Sequence, residues 1–369
     1  MIDYKDQQTK RCKTPRLEIY PDRIRQNAEA IVSQCHNEGV RVACVTKVTS
    51  AHPAVARAMT EGGADLLADS RLENLWKLRQ AGLRGPFLLL RLPALSQIDE
   101  VVDVADYSLN SSLVTIKALS EAALKRNLRH KVIVMIDVGD LREGVWPDKA
   151  IELVNSAASL KGVEIVGLGC NLACYGGVIP SEINMKLFVD TVKACRKATG
   201  LKLPILCGGN SSGLPLMAAG KLPTEVNLYR IGEAIILGRN VIDRSPWQGT
   251  RQDTVLAVGE VIEAETKPSM PIGERGQDAF GETQEFVDRG LRKRVILNLG
   301  RQDIVVDGIT PVEDGIIVLG GSSDHLLLDV QDCRRDLKVG DEVAFYPGYG
   351  ALLALSTSEY VQKVVIEAE

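Results

Sequence analysis

From about residue 15 to residue 240 the chain alternates short apolar runs with stretches whose apolar residues recur at helical spacing. The runs read RVACVTK, ADLLADS, PFLLLR, YSLNS, KVIVMIDVGD, VEIVGLGCN, LPILCGGN and EVNLYRIGEAIILG. The segments between them, such as RLENLWKLRQAG and PDKAIELVNSAASL, often close on Gly, as crossover helices do. Strands of a parallel sheet are buried on both faces and read as near-continuous apolar runs. Eight such β/α units over residues 15–240 predict an α/β fold, a TIM (β/α)8 barrel. Beyond residue 240 the texture changes to VLAVGEVIEAE, RVILNLG, DIVVDG, GIIVLGG, HLLLDV, DEVAFYPG and YVQKVVIEA, which read as strands between Gly, Asp and Pro turns. Residues 241–369 are therefore expected to form an all-β domain, with the LEIY run inside residues 1–20 supplying one more strand.

Composition narrows the partners. The 369 residues are 45% apolar and 25% charged, enough for one large core or two ordinary ones. A net charge of −4, with basic and acidic residues interspersed, offers no basic surface to a phosphate backbone, so nucleic acid is not expected as a partner. The charged start has no apolar h-region and no stretch reaches eighteen apolar residues, so a cytoplasmic protein without a membrane segment is expected. Eight scattered cysteines (Cys12, Cys35, Cys44, Cys170, Cys174, Cys195, Cys207, Cys333) read as reduced thiols, several of them inside strand-like runs. Cys170 and Cys174 lack a second pair at zinc spacing, and no metal is expected.

In a TIM barrel the active site is built at the C-terminal ends of the strands, so the polar residues that close the apolar runs carry the candidate chemistry. Lys47 closes the first run, Asp137 and Arg142 follow the fifth, and Asn171 ends the sixth. Asn210, Ser211 and Ser212 end the seventh, while Arg230, Gly232 and Glu233 lie in the eighth. A lysine leaving a buried strand holds its amine where the neutral form that attacks an aldehyde is favoured. Taken alone, Lys47 reads equally as a Schiff-base lysine or as one whose head snorkels to the barrel rim. CGGNSSG reads as an ordinary turn or as a backbone cradle for phosphate, and RIGEA supplies a second such nest at the standard barrel position. Arg230 reads as a cofactor arginine or as a structural one paired with a barrel carboxylate. Arg142 has the same two readings, with Glu143 beside it to neutralise it or to help read a cationic substrate.

Together these residues resemble the alanine-racemase branch of pyridoxal-phosphate enzymes, whose fold is a barrel followed by a β domain. The likeness runs over nearly the whole chain. ACVTKVTS stands where that family has its cofactor lysine, which makes Lys47 the Schiff-base residue and the base on one face of the substrate. DVGDLREG is similar to the family's Asp-x-Gly-x-x-Arg-x-Gly stretch at Asp137, Gly139, Arg142 and Gly144. CGGNSSG carries the Asn-Ser of the phosphate site at Asn210 and Ser211, and YRIGEAIILG matches the arginine facing the pyridine nitrogen, Arg230, followed by phosphate-binding backbone at Gly232 and Glu233. In the β part, GGSSDHLLLDV with Asp324 resembles the substrate-side turn, and Tyr360 in SEYVQK stands for the tyrosine that reaches the phosphate. The resemblance implies pyridoxal 5'-phosphate as cofactor, an amino acid as substrate and a homodimer as the working unit.

Departures from the family pattern refine this. Residues 49–53 replace the tyrosine that follows the cofactor lysine, Asn171 stands where a histidine stacks on the pyridine ring, and KPSMPIGERGQDAFGE holds no match for the opposite-face tyrosine. With DLREG, RIGEA and SSDH, the chain looks more like the ornithine-racemase group. That likeness implies racemisation of ornithine or a related basic amino acid, with Asp278, Glu274 and Asp324 as carboxylates for the terminal amine. Racemisation takes a proton from one face and returns it on the other. Lys47 serves one face; His325 is nominated for the other because imidazole titrates in the right range, with Asp278 as runner-up. A strand histidine satisfied within its own sheet is the competing reading of His325. A pyridoxal-phosphate aldolase or decarboxylase on the same fold, a non-catalytic cofactor-binding protein and a phosphate-sugar barrel enzyme are the rival functions.

Overall fold

The first strand, β1 (Arg16–Ile19), precedes eight that close on themselves: β2 (Arg41–Val45), β3 (Leu66–Asp69), β4 (Phe87–Leu89), β5 (Tyr107–Asn110), β6 (His130–Met135), β7 (Val163–Gly169), β8 (Ile205–Asn210) and β9 (Leu228–Ile231). The structure is a computed structural model that describes residues 13–283 and 285–367; Cys12 lies outside the described residues. Each of the eight apolar runs holds one barrel strand, all pairs are parallel, and β9 returns to β2 through Arg41↔Leu228 and Cys44↔Ile231. Helices pack outside. Pro21–Asn37 buries Ile24, Ala28, Ile31 and Cys35 at helical spacing, and Glu182–Thr199 starts on a Ser181–Asn184 capping box and stops at Gly200 in the left-handed region.

The barrel interior is one apolar cluster that includes Ala43, Val45, Ala68, Leu88, Met135, Cys207 and Leu228. Side chains alternate along a strand, so Lys47, Asp137 and Arg230, each two residues beyond one of these, continue the inward-facing set at the C-terminal end. The eighth run changes state at Gly232: the strand ends at Ile231 and Glu233–Leu237 is helical. A Cβ on Gly232 would stand 2.9 Å from both Cβ and the carbonyl oxygen of Val45, so only glycine lets the end of β9 approach β2 this closely.

The chain divides into two compact units, Pro21–Gln252 and a second made of the residues up to Tyr20 with Asp253–Glu369. The second is an antiparallel sheet of β10 (Val255–Pro268), β11 (Leu291–Leu297), β12 (Ile309–Pro311), β13 (Ile317–Gly321), β14 (Leu326–Asp329) and β15 (Glu342–Pro347), in the order β12-β15-β10-β11-β14-β13. β1 pairs antiparallel with β10 and parallel with β16 (Gln362–Val365). Two expectations fail here. DIVVDG is not a strand: Asp303 and Ile304 fold back on the Gly300 carbonyl, Asp303 accepts a hydrogen bond from Ser358 at 2.7 Å, and Val306–Gly308 is a 3-10 turn. The region is also not free of helix, since Tyr349–Thr357 forms one; GYGALLALST is apolar on every side and so shows no helical period to read. Among the described residues no helix is long and apolar enough to cross a membrane.

A part-buried ion pair ties two strands of this unit, with Arg292 donating to the buried Asp329 at 2.8 Å and the Gln331 N–H adding a second bond at 3.1 Å. Burial presses the Asp329 carboxyl upward, but the Arg292 hydrogen bond, this N–H and the nearby positive charges carry it below the ordinary carboxylate range. A carboxyl with a depressed folded-state pKa stabilises fully above its unfolded value of about 3.9 and loses that contribution as pH falls through the folded value. Asp329→Asn should therefore weaken the protein at neutral pH and flatten its acid unfolding below about pH 4, followed by circular dichroism in an acid titration. An unchanged acid limb would assign the acid sensitivity to other groups.

Candidate active site

Lys47 is half-buried and opens the short turn Lys47–Thr49, after which Ser50 and Ala51 both take positive φ. Its ammonium makes no hydrogen bond or ion pair among the described residues. On the outer side of the same strand end, Thr46 donates to Asp69 at 2.7 Å, and Asp69 also accepts from Asn74 at 2.9 Å and the Arg71 N–H at 3.0 Å. Burial raises the Asp69 carboxyl despite these donors. Sequence reading passed over Asp69, which fixes the backbone from which Lys47 departs and was hidden in an apolar strand.

Arg230 is 5% exposed and has no carboxylate partner among the described residues, which rules out the barrel-carboxylate pairing. Its guanidinium donates to Cys207 Sγ at 2.7 Å, to the Cys170 carbonyl at 3.0 Å and to Asn171 Oδ1 at 3.2 Å. Burial pushes the Cys170 thiol up, although Arg230 works against it. Asn210 closes the set: its amide donates to Asn171 Oδ1 at 3.1 Å, Leu172 O at 2.8 Å and Cys174 Sγ at 3.3 Å, while its Oδ1 accepts the Ser212 N–H at 2.8 Å. Every polar atom of the Asn210 side chain is thus committed to the protein. Asn171 Nδ2 and Ser212 Oγ, in residues 6% and 2% exposed, have no partner among the described residues. Buried polar atoms are rarely left so, and here two lie in the residues around Arg230.

Glu233 follows Gly232 and pairs with Arg244; burial raises its carboxyl, Arg244 opposes this, and Lys47 lies within electrostatic reach. Ser211 Oγ accepts the Ala234 N–H at 3.4 Å, joining the two glycine-rich turns. Arg142 pairs with its neighbour Glu143: burial is the largest single influence and lowers the guanidinium, but the Glu143 hydrogen bond together with the nearby Cys174, Glu143 and Asp140 leaves it raised. Asp137 accepts the Gly139 and Leu141 N–H groups at 2.8 and 3.3 Å, shaping the turn that carries Arg142. The barrel unit therefore brings together Asn171, Asn210, Ser211, Ser212, Arg230, Gly232 and Glu233, with Lys47 electrostatically coupled to Glu233. The thiols of Cys174 and Cys207 and the backbone carbonyl of Cys170 thus take polar partners that only the fold supplies.

The remaining residues of interest belong to the β unit. His325 and Asp324 are exposed in the turn joining β13 to β14, where His325 Nδ1 lies 3.4 Å from Ser322 Oγ and Asp324 accepts from Gln302. His325 is thus not satisfied inside the sheet. Asp278 accepts the Phe280 and Glu282 N–H groups, both at 2.9 Å, and lines a cavity of about 430 Å³ walled by Phe286, Ile317, Leu319 and Leu327. Tyr360 is 71% exposed and Glu274 is exposed.

Residues 19–240 match the family model described as the alanine racemase N-terminal domain. The chain belongs to the alanine racemase family. Within this family it is 43% identical to a lysine racemase of Thermotoga maritima over 95% of this chain and 98% of that protein. It is 40% identical to an ornithine racemase of Acetoanaerobium sticklandii, over 95% and 99%. An alanine racemase structure from Streptomyces lavendulae superposes with a TM-score of 0.72 at 21% identity, covering 97% of this chain and 99% of that one, and shows the shared racemase fold.

Proposed function

We propose that the chain is a racemase of basic amino acids that works with pyridoxal 5'-phosphate held on Lys47, as a cytoplasmic homodimer. The observation that carries the racemase reading is near full-length identity of 43% and 40% to a lysine and an ornithine racemase. Two features of the barrel fit the cofactor. Among the described residues Asn171 Nδ2 and Ser212 Oγ are buried donors without a protein partner and Arg230 is a buried cation without a carboxylate, so the site suits a polar, anionic group. When bound, pyridoxal phosphate supplies an electron sink for the carbanion left by loss of the α-proton.

The chain's own residues do the rest. Lys47 would hold the cofactor's aldehyde carbon through Nζ and, once released, take or return the α-proton on one face. Arg230, which cannot readily give up a proton, would face the pyridine nitrogen and keep it unprotonated. Ser211, Ser212 and the backbone at Gly232 and Glu233 would take the phosphate, together with Tyr360. Asn171 offers an Nδ2 that has no partner among the described residues, Asn210 holds Asn171 and the Ser212 N–H in place, and Arg142 is proposed on the cofactor side with Glu143 beside it. His325 is the group proposed for the opposite face. Asp278 and Asp324 are proposed to meet the substrate's terminal ammonium.

The test is racemisation of L-ornithine, L-lysine and L-alanine followed by chiral chromatography. The basic amino acids should exceed alanine in kcat/KM by about tenfold or more, because the shorter substrate leaves the carboxylates proposed for the terminal ammonium without their partner. A preference for alanine would overturn the substrate assignment, and activity unchanged on complete removal of pyridoxal phosphate would overturn the cofactor.

A further inference from the structure

Asp140 lies in the turn after β6 and is 1% exposed, yet it makes no ion pair among the described residues. Its acceptors reach instead to the loop after β7. Oδ2 accepts the N–H groups of Cys174 at 3.2 Å and Tyr175 at 3.1 Å, Oδ1 accepts that of Val178 at 3.4 Å, and the Asp140 carbonyl accepts that of Gly176 at 3.2 Å. A Cβ on Gly176 would come within 2.9 Å of that carbonyl, so the loop is seated directly on Asp140.

Burying a carboxylate is costly unless charge-assisted hydrogen bonds satisfy it, and here those bonds all go to one loop. That loop begins at Asn171, which accepts from Arg230 and Asn210, and runs through Leu172 and Cys174, both of which accept from the Asn210 amide. The contacts form one connected path from the turn after β6, across the loop after β7, to Asn210 and Arg230.

We infer that Asp140 is a positioning residue: it locks residues 171–178 so that Asn171 and Cys174 hold Asn210 and Arg230 in the geometry that receives the cofactor. This rests on the cofactor reading above for its last step only. Asp140 touches none of the reacting groups; it acts through backbone amides of a neighbouring loop, and because its charge also reaches Arg142 the uncharged change at Gly176 isolates the latch from that effect.

The experiment uses the holoenzyme and the variants Asp140→Asn and Gly176→Ala, which disturb the same latch from its two sides. Amide hydrogen exchange of the peptide spanning 172–178 and alkylation of Cys174, the exposed thiol among the described cysteines, read the loop directly. Pyridoxal phosphate affinity is read by equilibrium titration, and thermal unfolding checks the fold. In both variants exchange and alkylation should rise by on the order of tenfold, and the cofactor Kd should rise by a similar factor, with Tm within about 3 °C of wild type. Unchanged exchange and alkylation overturn the latch. A loosened loop with an unchanged Kd overturns its role in the site. If the wild-type protein bound no pyridoxal phosphate, the cofactor reading would fail, while exchange and alkylation would still decide the latch.

Discussion

Lys47→Ala should leave a folded protein whose racemase activity has dropped by at least about ten-thousandfold, and which no longer shows the visible absorption band of protein-bound pyridoxal phosphate. The argument for both halves is geometric. Lys47 continues the inward-facing set of β2 at the barrel's C-terminal end, and its ammonium makes no hydrogen bond or ion pair among the described residues. Truncation therefore leaves no protein group unpaired, and stability should change by less than about 1 kcal/mol. Lys47→Arg should fail as completely, because a guanidinium does not lose its proton and cannot act as nucleophile or base. Absorbance, thermal unfolding and chiral chromatography on the purified variants check these outcomes. Residual activity within a hundredfold of wild type would remove Lys47 from the centre of the site and favour a lysine that merely reaches the barrel rim.

Arg230→Met should separate function from stability. The guanidinium is buried without a compensating carboxylate, so an apolar side chain of similar length removes a charge whose desolvation nothing in the described chain repays. Against that stands the loss of the bonds to Cys207, Cys170 and Asn171; Asn171 Oδ1 keeps its bond from Asn210. The two effects should offset, leaving the cofactor-free protein within about 1 kcal/mol of wild type. Racemisation should nevertheless fall by on the order of a hundred- to a thousandfold, with keto-acid side product appearing, since the residue assigned to the pyridine nitrogen is gone. Chemical denaturation and product analysis by chromatography read the two effects separately. A stability loss above about 3 kcal/mol with turnover retained would make Arg230 a structural residue.

Much of the fold was legible because its strands are buried on both faces. Eight near-continuous apolar runs, each followed by a helical period, leave few alternatives to a closed parallel barrel, and each run holds one strand. Legibility failed where periodicity is silent. GYGALLALST has no polar face to mark it as a helix, and DIVVDG has strand composition but is turned by the Gly300 carbonyl and the Asp303–Ser358 bond. In the barrel site, the polar residues at strand ends were nameable one by one, since strand parity alone carries Lys47 and Arg230 inward.

What those residues do to each other came only with the tertiary structure. The sequence determined the barrel, the change to β texture after residue 240, the lysine at the end of the first run and the glycine-rich turns at the seventh and eighth, all of which follow from local pattern and strand alternation. It could not determine that Arg230 rests on a thiol and a backbone carbonyl rather than on a carboxylate, that the Asn210 side chain is fully committed within the protein, or that Asp140 grips a loop more than thirty residues further on. These contacts join residues far apart in the chain whose separation is set by barrel closure. Their hydrogen-bond partners exist only once neighbouring strands bring their C-terminal loops side by side.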